Sequence, residues 1–441
     1  MDRLRVVERG AGWCRRGVLG LCWVVWLSGC DPAARSVGAG MEIRDSAGVT
    51  IVDNRGEADS TFTLVSDLRL GSVEADAPDL FSDVVAVGVS PSGDIVVGDR
   101  MSTSARVFDE TGGFIAAFGA RGEGPGELSQ LDDVMVVGDT VLLIDWQRGG
   151  TVSRYSSRGV LSHAVSMTMD DGVRLAPVAH DGASWLAGEY RNRTEVLDEG
   201  EIVEQRAVLL RYDWNDPAPG PEAYSRVAAH LYGVRTGSTS ADWPLFGRVQ
   251  MGDGFDGAGR YYDASITDYA VRVWGADGLE RIVRRDVALV PITPEVVAQV
   301  RDGAVEKVDS LTRNAPVAVR EQQVEQTREM VTRRASHMVA DSVPPIAAIL
   351  VGRDGSIWVN RRDGPDLVQV EVEAMYSGVL GMSSRATRWD VFAADGRFRG
   401  RLEVPPRTRV YAVSEHHAWG VALDDLDVPF VHRWSLEHLP G

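Results

Sequence analysis

The sequence predicts an all-β protein assembled from repeated four-stranded antiparallel units, and three observations carry that prediction. A strand-ending aromatic residue recurs with a glycine four positions later: Phe108 to Gly112, Tyr155 to Gly159, Trp274 to Gly278 and Phe392 to Gly396. Glycine at that offset supplies the positive φ that a short hairpin requires. An earlier hairpin recurs as well, in Val89–Asp99, Val137–Asp145, Ala179–Ala187, Val351–Asn360 and Val413–Val421, with a looser copy at Gly252–Asp263. Aligned on Asp94, Thr140, Ser184, Arg260, Ser356 and Ala418, the first two steps fall in the roughly 40 to 50 residues of one four-stranded unit in a radial array, and the longer steps must hold insertions. Composition agrees, since 12 Trp and 47 Gly favour strands and turns over long helices.

Taken in order, the chain starts with Arg15 and Arg16 ahead of the apolar run Gly17–Trp26, which has signal-peptide length and is too short to span a bilayer. Leu27-Ser28-Gly29-Cys30 follows. This resembles the lipobox of bacterial lipoproteins, a Leu, two small residues and a Cys. The resemblance implies that residues 1–29 are a removed signal peptide and that Cys30 is lipidated. It also implies that the protein is anchored in the bacterial cell envelope, at a periplasm-facing membrane or the cell surface. The plainer alternative is an ordinary signal peptide with an incidental cysteine. Cys14 and Cys22 lie in the removed segment, so no thiol remains for a disulfide. Residues 31–40 are small and polar and read as a flexible tether, and residues 30–60 as a whole are assigned to the lipidated cysteine and tether.

The formal charge is −18. The first 29 residues carry five arginines against Asp2 and Glu8, so the mature chain is more acidic still. Such a surface repels phosphate backbones, which argues against nucleic acid as a partner. The membrane is engaged through the lipid anchor only. Lys307 is the only lysine. The predominance of arginine reads first as codon bias and second as a choice for planar, bidentate contacts.

From about Thr61 to the end, residues 61–441, the body resembles a six-bladed β-propeller of the NHL and TolB-like kind. In particular it resembles bacterial lipoproteins in which Phe-Gly, Arg-Gly and Gly-Pro-Gly-Glu follow the first blade, as Phe118-Gly119, Arg121-Gly122 and Gly124 to Glu127 do here. Seven blades are the alternative, because Glu42–Val52 is strand-like and has no place among the six units. The last unit ends without a fourth strand, at Phe430–Trp434, and an open edge there would invite aggregation. Phe62–Leu70 is an orphan alternating strand, and it is expected to complete that unit and close the ring.

Long segments occupy two kinds of slot, the loop between second and third strands (192–206 and 362–387) and the crossings between blades (214–244 and 288–344). Both slots emerge at one end of a propeller, so the elaboration is one-sided and marks the expected binding face. The largest insertion, about 293–342, reads as helical. Thr293-Pro294-Glu295 forms an N-cap, and Val296, Val300, Ala304 and Val308 form one apolar stripe. A second helix is expected from near Val317 to His337. The pair reads equally as a lid over the pore or as a hairpin packed on the rim.

The glycine-rich crossing Gly119–Gly126 lacks the lysine and hydroxyl of a phosphate-binding loop. Candidate ligand-binding residues are Arg121 and Glu127 in that crossing, together with polar groups at the ends of second strands: Arg100, Asp145, Trp146, Arg148, Tyr190 and Arg361. A rim of guanidinium, carboxylate and aromatic groups suits a polar, partly anionic peptide, saccharide or envelope-protein segment. Each single carboxylate reads more simply as a group that bonds loop amides. Catalytic residues are not identifiable. No metal site is assigned; Asp253, Asp256, Asp424 and Asp425 could join a calcium site like that of propeller lactonases, but that family's Glu, Asn and Asp ligands have no clear counterparts here. His416 and His417 point to opposite faces of a strand and cannot share a metal unaided. Two functions follow. The first is a lipid-anchored ligand- or protein-binding module without chemistry. The second is a divalent-metal-dependent hydrolase, lactonase or lyase with its site in the central channel.

Overall fold

The computed structural model of the chain describes residues 35–36, 40–56, 60–74, 77–147, 151–166, 176–180, 184–197, 200–215, 220, 222–233, 241–242, 245–246, 253–265, 267–336, 341–363, 367–376 and 388–439. Residues 1–29, read in the sequence as a signal peptide, lie outside the described residues, as do Cys30 and Arg148.

Six blades surround a central axis. Blade 1 comprises Val84–Val89, Ile95–Asp99, Ser104–Phe108 and Phe114–Phe118. Blade 2 comprises Asp133–Val137, Thr140–Asp145, Thr151–Ser156 and Leu161–Ser166. Blade 3 is built on Ala176–His180, Ser184–Leu197, Gly200–Asp213 and Glu222–Gly233, with the short Ala241–Asp242 at its edge. Blade 4 runs through Asp253–Phe255, Tyr261–Ala264, Ala270–Gly275 and Gly278–Arg285. Ile346–Val351, Ile357–Arg361, Arg388–Phe392 and Phe398–Glu403 form blade 5. Thr408–Val413, His417–Leu423 and Pro429–His438 begin blade 6. The first strand of every blade touches the first strand of the next, and the sixth returns to the first. Second strands such as Ile95–Asp99 are buried along their length, because each lies in mid-blade between two neighbouring blades. This accounts for their continuous apolar sequences.

The recurring aromatic and glycine work as a unit. The register shifts at Phe108, Tyr155, Trp274 and Phe392, as it does again at Trp434. Each shift is a bulge that strengthens the local twist just before the hairpin. Gly112, Gly159, Gly278 and Gly396 all take positive φ. At Gly396 a Cβ would also lie 2.7 Å from Val283 of blade 4, so the turn must be bare to let two blades meet.

The ring closes through Thr61–Leu70, which runs antiparallel to Pro429–His438 with Leu70 opposite Val431 and Phe62 opposite His438. The same strand reaches back to blade 5, where Thr61 and Phe62 pair with Arg401 and Leu402 in parallel. The closing strand thus supplies the fourth strand of the last blade and covers the edge that Pro429–His438 would otherwise leave unpaired. The seven-blade alternative is corrected. Met41–Ser46 and Val49–Asn54 form a hairpin whose second strand lies parallel to the outer strand of blade 4. Their β-branched alternation satisfies an existing edge instead of founding a blade. Within the stretch 30–60 assigned to the tether, Arg35–Ser36, Met41–Ser46 and Val49–Asn54 are paired strands.

Between neighbouring blades lie separate apolar clusters. Leu128, Leu131 and Val141 lie between blades 1 and 2, Ile144, Leu210 and Trp214 between 2 and 3, and Tyr262, Val271 and Ile349 between 4 and 5. Trp358, Trp389 and Trp434 fill the space between 5 and 6, and Phe81, Ile95 and Val431 that between 6 and 1. A further cluster stands off the ring. Helix α1, Pro294–Leu311, is capped by the Thr293 hydroxyl, which accepts from the Val296 N–H at 3.4 Å. It packs with α2, Val317–Ser336, and α3, Leu367–Tyr376. Val300, Ala304, Val331, Leu367 and Val372 meet Leu245 and Phe246 there. Insertions from the crossings on either side of blade 4 and from the blade 5 loop therefore converge on one face, as the strand connectivity requires.

Candidate functional site

The polar residues that end the second strands mostly hold loops. Asp145, 1% exposed, accepts from the Ser129 N–H and hydroxyl at 2.6 and 2.9 Å and from the Gln147 N–H at 2.9 Å. Asp99 does the same in blade 1, taking the Ser82 and Ser102 N–H groups at 2.6 and 3.0 Å. Each buried carboxylate ties the segment entering the inner strand to the turn leaving the second, satisfying amides that would otherwise be stranded. Trp146 is half-buried against the cluster between blades 2 and 3, and its N–H donates to Asp132 at 2.7 Å. Arg361 lies between blades 4 and 5, paired with Asp363 and 3.5 Å from Asp390; burial, the leading influence, lowers its pKa. Tyr190 lies within the long second strand of blade 3, opposite Ala207.

The glycine-rich crossing is held by its own residues. Ala120–Arg121 pairs in parallel with Glu127–Leu128, and the Glu127 carboxylate accepts the Gly124 N–H at 2.8 Å. The Tyr155 hydroxyl donates to the Gly126 carbonyl at 2.7 Å, so close that a Cβ on Gly126 would sit 2.4 Å from the phenol oxygen. Arg121 and Glu127 are both exposed, and among the described residues no ion pair joins them.

The charged groups that meet at the channel mouth come from the heads of the inner strands, on the face that carries the insertions. Arg409 and Tyr411 of blade 6 and Asp133 of blade 2 flank the inner strand of blade 1 from its two sides. The Arg409 guanidinium lies 4.6 Å from the centre of the Tyr411 ring, and the Tyr411 hydroxyl donates to the Val84 carbonyl at 2.8 Å. Arg100 pairs with Asp83 at 3.0 Å. Tyr411 feels Arg409, Asp133, Asp83 and Arg100 together; desolvation is the strongest influence and pushes its phenol up to about 12. The Nε–H groups of Arg100 and Arg409 are both buried with no acceptor among the described residues. Those two atoms are covered by protein, so a ligand would meet each guanidinium through its terminal nitrogens, which can donate to a carboxylate or carbonyl.

Asp133 has an exposed side chain, yet protein surrounds the channel in which it stands. Desolvation by that wall, opposed by the Val134 N–H and by Arg409, pushes its carboxyl up to about 6. The folded protein therefore keeps this proton after the unfolded chain has lost it. This group's contribution to stability is greatest below about pH 4, declines as the pH rises to about 6, and is level above that. Asp133→Asn should remove the slope. Plotted against pH, urea midpoints of the two proteins should separate between about pH 4 and 6, with the variant higher above that window. Curves that remain parallel would contradict the assignment.

Sequence reasoning overlooked Asp83, Asp133, Arg409 and Tyr411 because it searched the second strands. A signal was present: Asp133 and Arg409 interrupt the heads of otherwise apolar inner strands. The late histidines are dispersed around the closure. His417 lies 3.7 Å from Asp67, His432 hydrogen-bonds Ser66 at 2.8 Å and stacks on Trp434, and His438 packs on Phe62. Asp256 holds Arg260 and Tyr262, while Asp424 bonds the Leu426 and Val428 N–H groups. Among the described residues no three His, Cys, Asp or Glu side chains converge as a metal would require.

A family model described as a 6-bladed beta-propeller matches residues 51–152, which span most of the blade 4 edge strand, the closing strand, blade 1 and the first two strands of blade 2. No curated protein matches the chain in sequence. Among solved structures, a DUF4221-family protein from Bacteroides vulgatus is 9% identical, covering 87% of this chain and 100% of that one with a TM-score of 0.45. A catalytically inactive virginiamycin B lyase from Staphylococcus aureus with quinupristin is 9% identical over 85% and 100%, with a TM-score of 0.39. PQQ-bound aldose sugar dehydrogenase from Streptomyces coelicolor is 12% identical over 86% and 100%, with a TM-score of 0.38. None of these likenesses bears on activity.

Proposed function

We propose that this six-bladed propeller is an NHL- or TolB-like lipoprotein of the bacterial envelope, anchored through Cys30, that binds a carboxylate-bearing peptide or protein segment at the insertion-face mouth of its channel and performs no chemistry on it. The observation that carries the reading is the convergence of Arg100 and Arg409 around Tyr411, one guanidinium fixed by Asp83 and the other stacked on the Tyr411 ring. Two rigidly held guanidinium groups favour a ligand with a planar anionic group. Asp133 beside them would receive a donor of the same ligand, an amide or amine. The helices over this face would shape access for an extended segment.

Isothermal titration of the full chain with N-acetylated tripeptides bearing a free carboxylate tests the site, with amidated versions as controls. Binding is expected for the free acids. Arg409→Met should weaken it by about 10- to 100-fold, the range of one lost charge-assisted hydrogen bond. Equal binding of acid and amide, or an indifferent Arg409→Met, would remove the proposal. A melting temperature that rises with calcium after chelation would instead favour the divalent-metal-dependent hydrolase. Cys30→Ala is expected to move the protein from the membrane fraction to the soluble fraction, and continued membrane association would refute the anchor.

A further inference from the structure

A second concavity lies at the opposite end of the ring, between blades 3 and 4, where the hairpin turns emerge. Its volume is about 790 Å3, within the range of small-molecule sites. The floor is aromatic. Tyr224 stacks on Tyr261 with ring centres 4.6 Å apart, and Phe255 meets both, at 6.0 Å from Tyr224 and 5.1 Å from Tyr261. Trp274 borders the same space, its indole N–H tied to Asp263 at 2.6 Å. Each wall offers one cation and one anion: Arg211 and Glu222 from blade 3, Arg260 and Glu280 from blade 4. Asp256 fixes Arg260 at 2.7 Å. A Cβ at Gly259 or Gly278 would meet nothing within 4 Å, so the rim is open to an entering molecule.

We infer that this inter-blade cleft binds a neutral saccharide of one or two pyranose rings, stacked on the Tyr224 ring beside the steeply inclined Phe255 ring, with its hydroxyls bonded to the flanking carboxylates and guanidinium groups. The walls present acceptors and donors at once, which is what a ring of hydroxyls can satisfy. Aromatic faces supply the apolar contact for the C–H side of a sugar. Burial, aided by Glu280 and opposed by Arg211, raises the Tyr224 phenol. The channel mouth would serve a different ligand, and the two sites would operate independently.

Titration of the full chain with maltose, cellobiose and chitobiose, read by tryptophan fluorescence and calorimetry, tests the cleft. At least one disaccharide is expected to bind with a Kd below about 1 mM. Tyr224→Ala should weaken it at least about tenfold, Tyr224→Phe should retain most of the affinity because the ring remains, and Arg409→Met should leave it unchanged. Glu280→Gln provides a surface variant that tests the polar wall without disturbing the core, and a loss of about 3- to 10-fold is expected. Absence of binding by all three sugars, or affinity unmoved by both Tyr224→Ala and Glu280→Gln, would overturn the inference. Loss caused by Arg409→Met would place the sugar at the channel mouth and likewise overturn it.

Discussion

Asp390→Ala is expected to cost about 3–5 kcal/mol of folding stability, the usual range when one partner of a buried ion pair is removed. Asp390 is fully buried in the third strand of blade 5. Its Oδ2 accepts from Tyr269 at 2.6 Å and from Arg285 at 2.5 Å, both belonging to blade 4. Arg285 is itself 1% exposed at its side chain and stacks 3.9 Å from the centre of the Phe398 ring. Without the carboxylate that guanidinium would remain charged inside the core. Burial and the neighbouring Asp390 also raise Tyr269 well above the usual phenol range, so its hydroxyl would be left without its buried acceptor. Replacing both charges, as in Arg285→Met with Asp390→Leu, should recover most of the loss, because the penalty lies in the uncompensated charge and not in the absence of the pair. Urea unfolding of the single and the double variant decides the matter. A single variant within about 1 kcal/mol of the parent would show that water reaches this network in solution.

Phe62→Ala is expected to cost about 3–5 kcal/mol as well, and to do so by loosening the ring closure. Phe62 is 2% exposed and stands at the one point where the closing strand touches two blades. It pairs with Leu402 of blade 5 and His438 of blade 6, with the His438 ring 4.6 Å away and the Arg399 guanidinium 5.4 Å from its ring centre. Gly400 is pressed so closely that a Cβ there would lie 2.7 Å from the ring, which shows how little room the site has to relax. The control is Val65→Ala on the same strand, 39% exposed, which should change stability by no more than about 0.5 kcal/mol. Protease cleavage near the N-terminal strand should accelerate in Phe62→Ala alone. Equal losses in the two variants would mean that the strand contributes by backbone pairing and not through this side chain.

Much of the architecture was legible in the residues, for local reasons. The aromatic and glycine pairs mark a bulge and a positive-φ turn, both set within a few residues of chain. The same holds for the Thr293 cap and the valine stripe of α1. Closure by Phe62–Leu70 was inferable because an unpaired edge at the last blade demanded a partner and one alternating strand lacked one. Glu42–Val52 was legible as strand but not as to position. Its outer-edge place parallel to Gly278–Arg285 depends on a neighbour more than two hundred residues away. The candidate site was the least legible part. Asp145 looks like a ligand group in sequence, whereas its carboxylate accepts from the Ser129 and Gln147 amides.

The sequence by itself determined the repeat, the hairpins within each blade and the end of the ring at which long segments must emerge, because strand alternation and turn chemistry act between near neighbours. Only the tertiary structure decided which polar groups meet. Asp133 and Arg409 sit on blades that flank a third, and Asp390 bonds Arg285 across a blade boundary. A period of two residues tells a side chain which face of its sheet to occupy. It carries no information about which charge the adjoining blade presents to that face, and that choice governs both the stability of the ring and what its channel can hold.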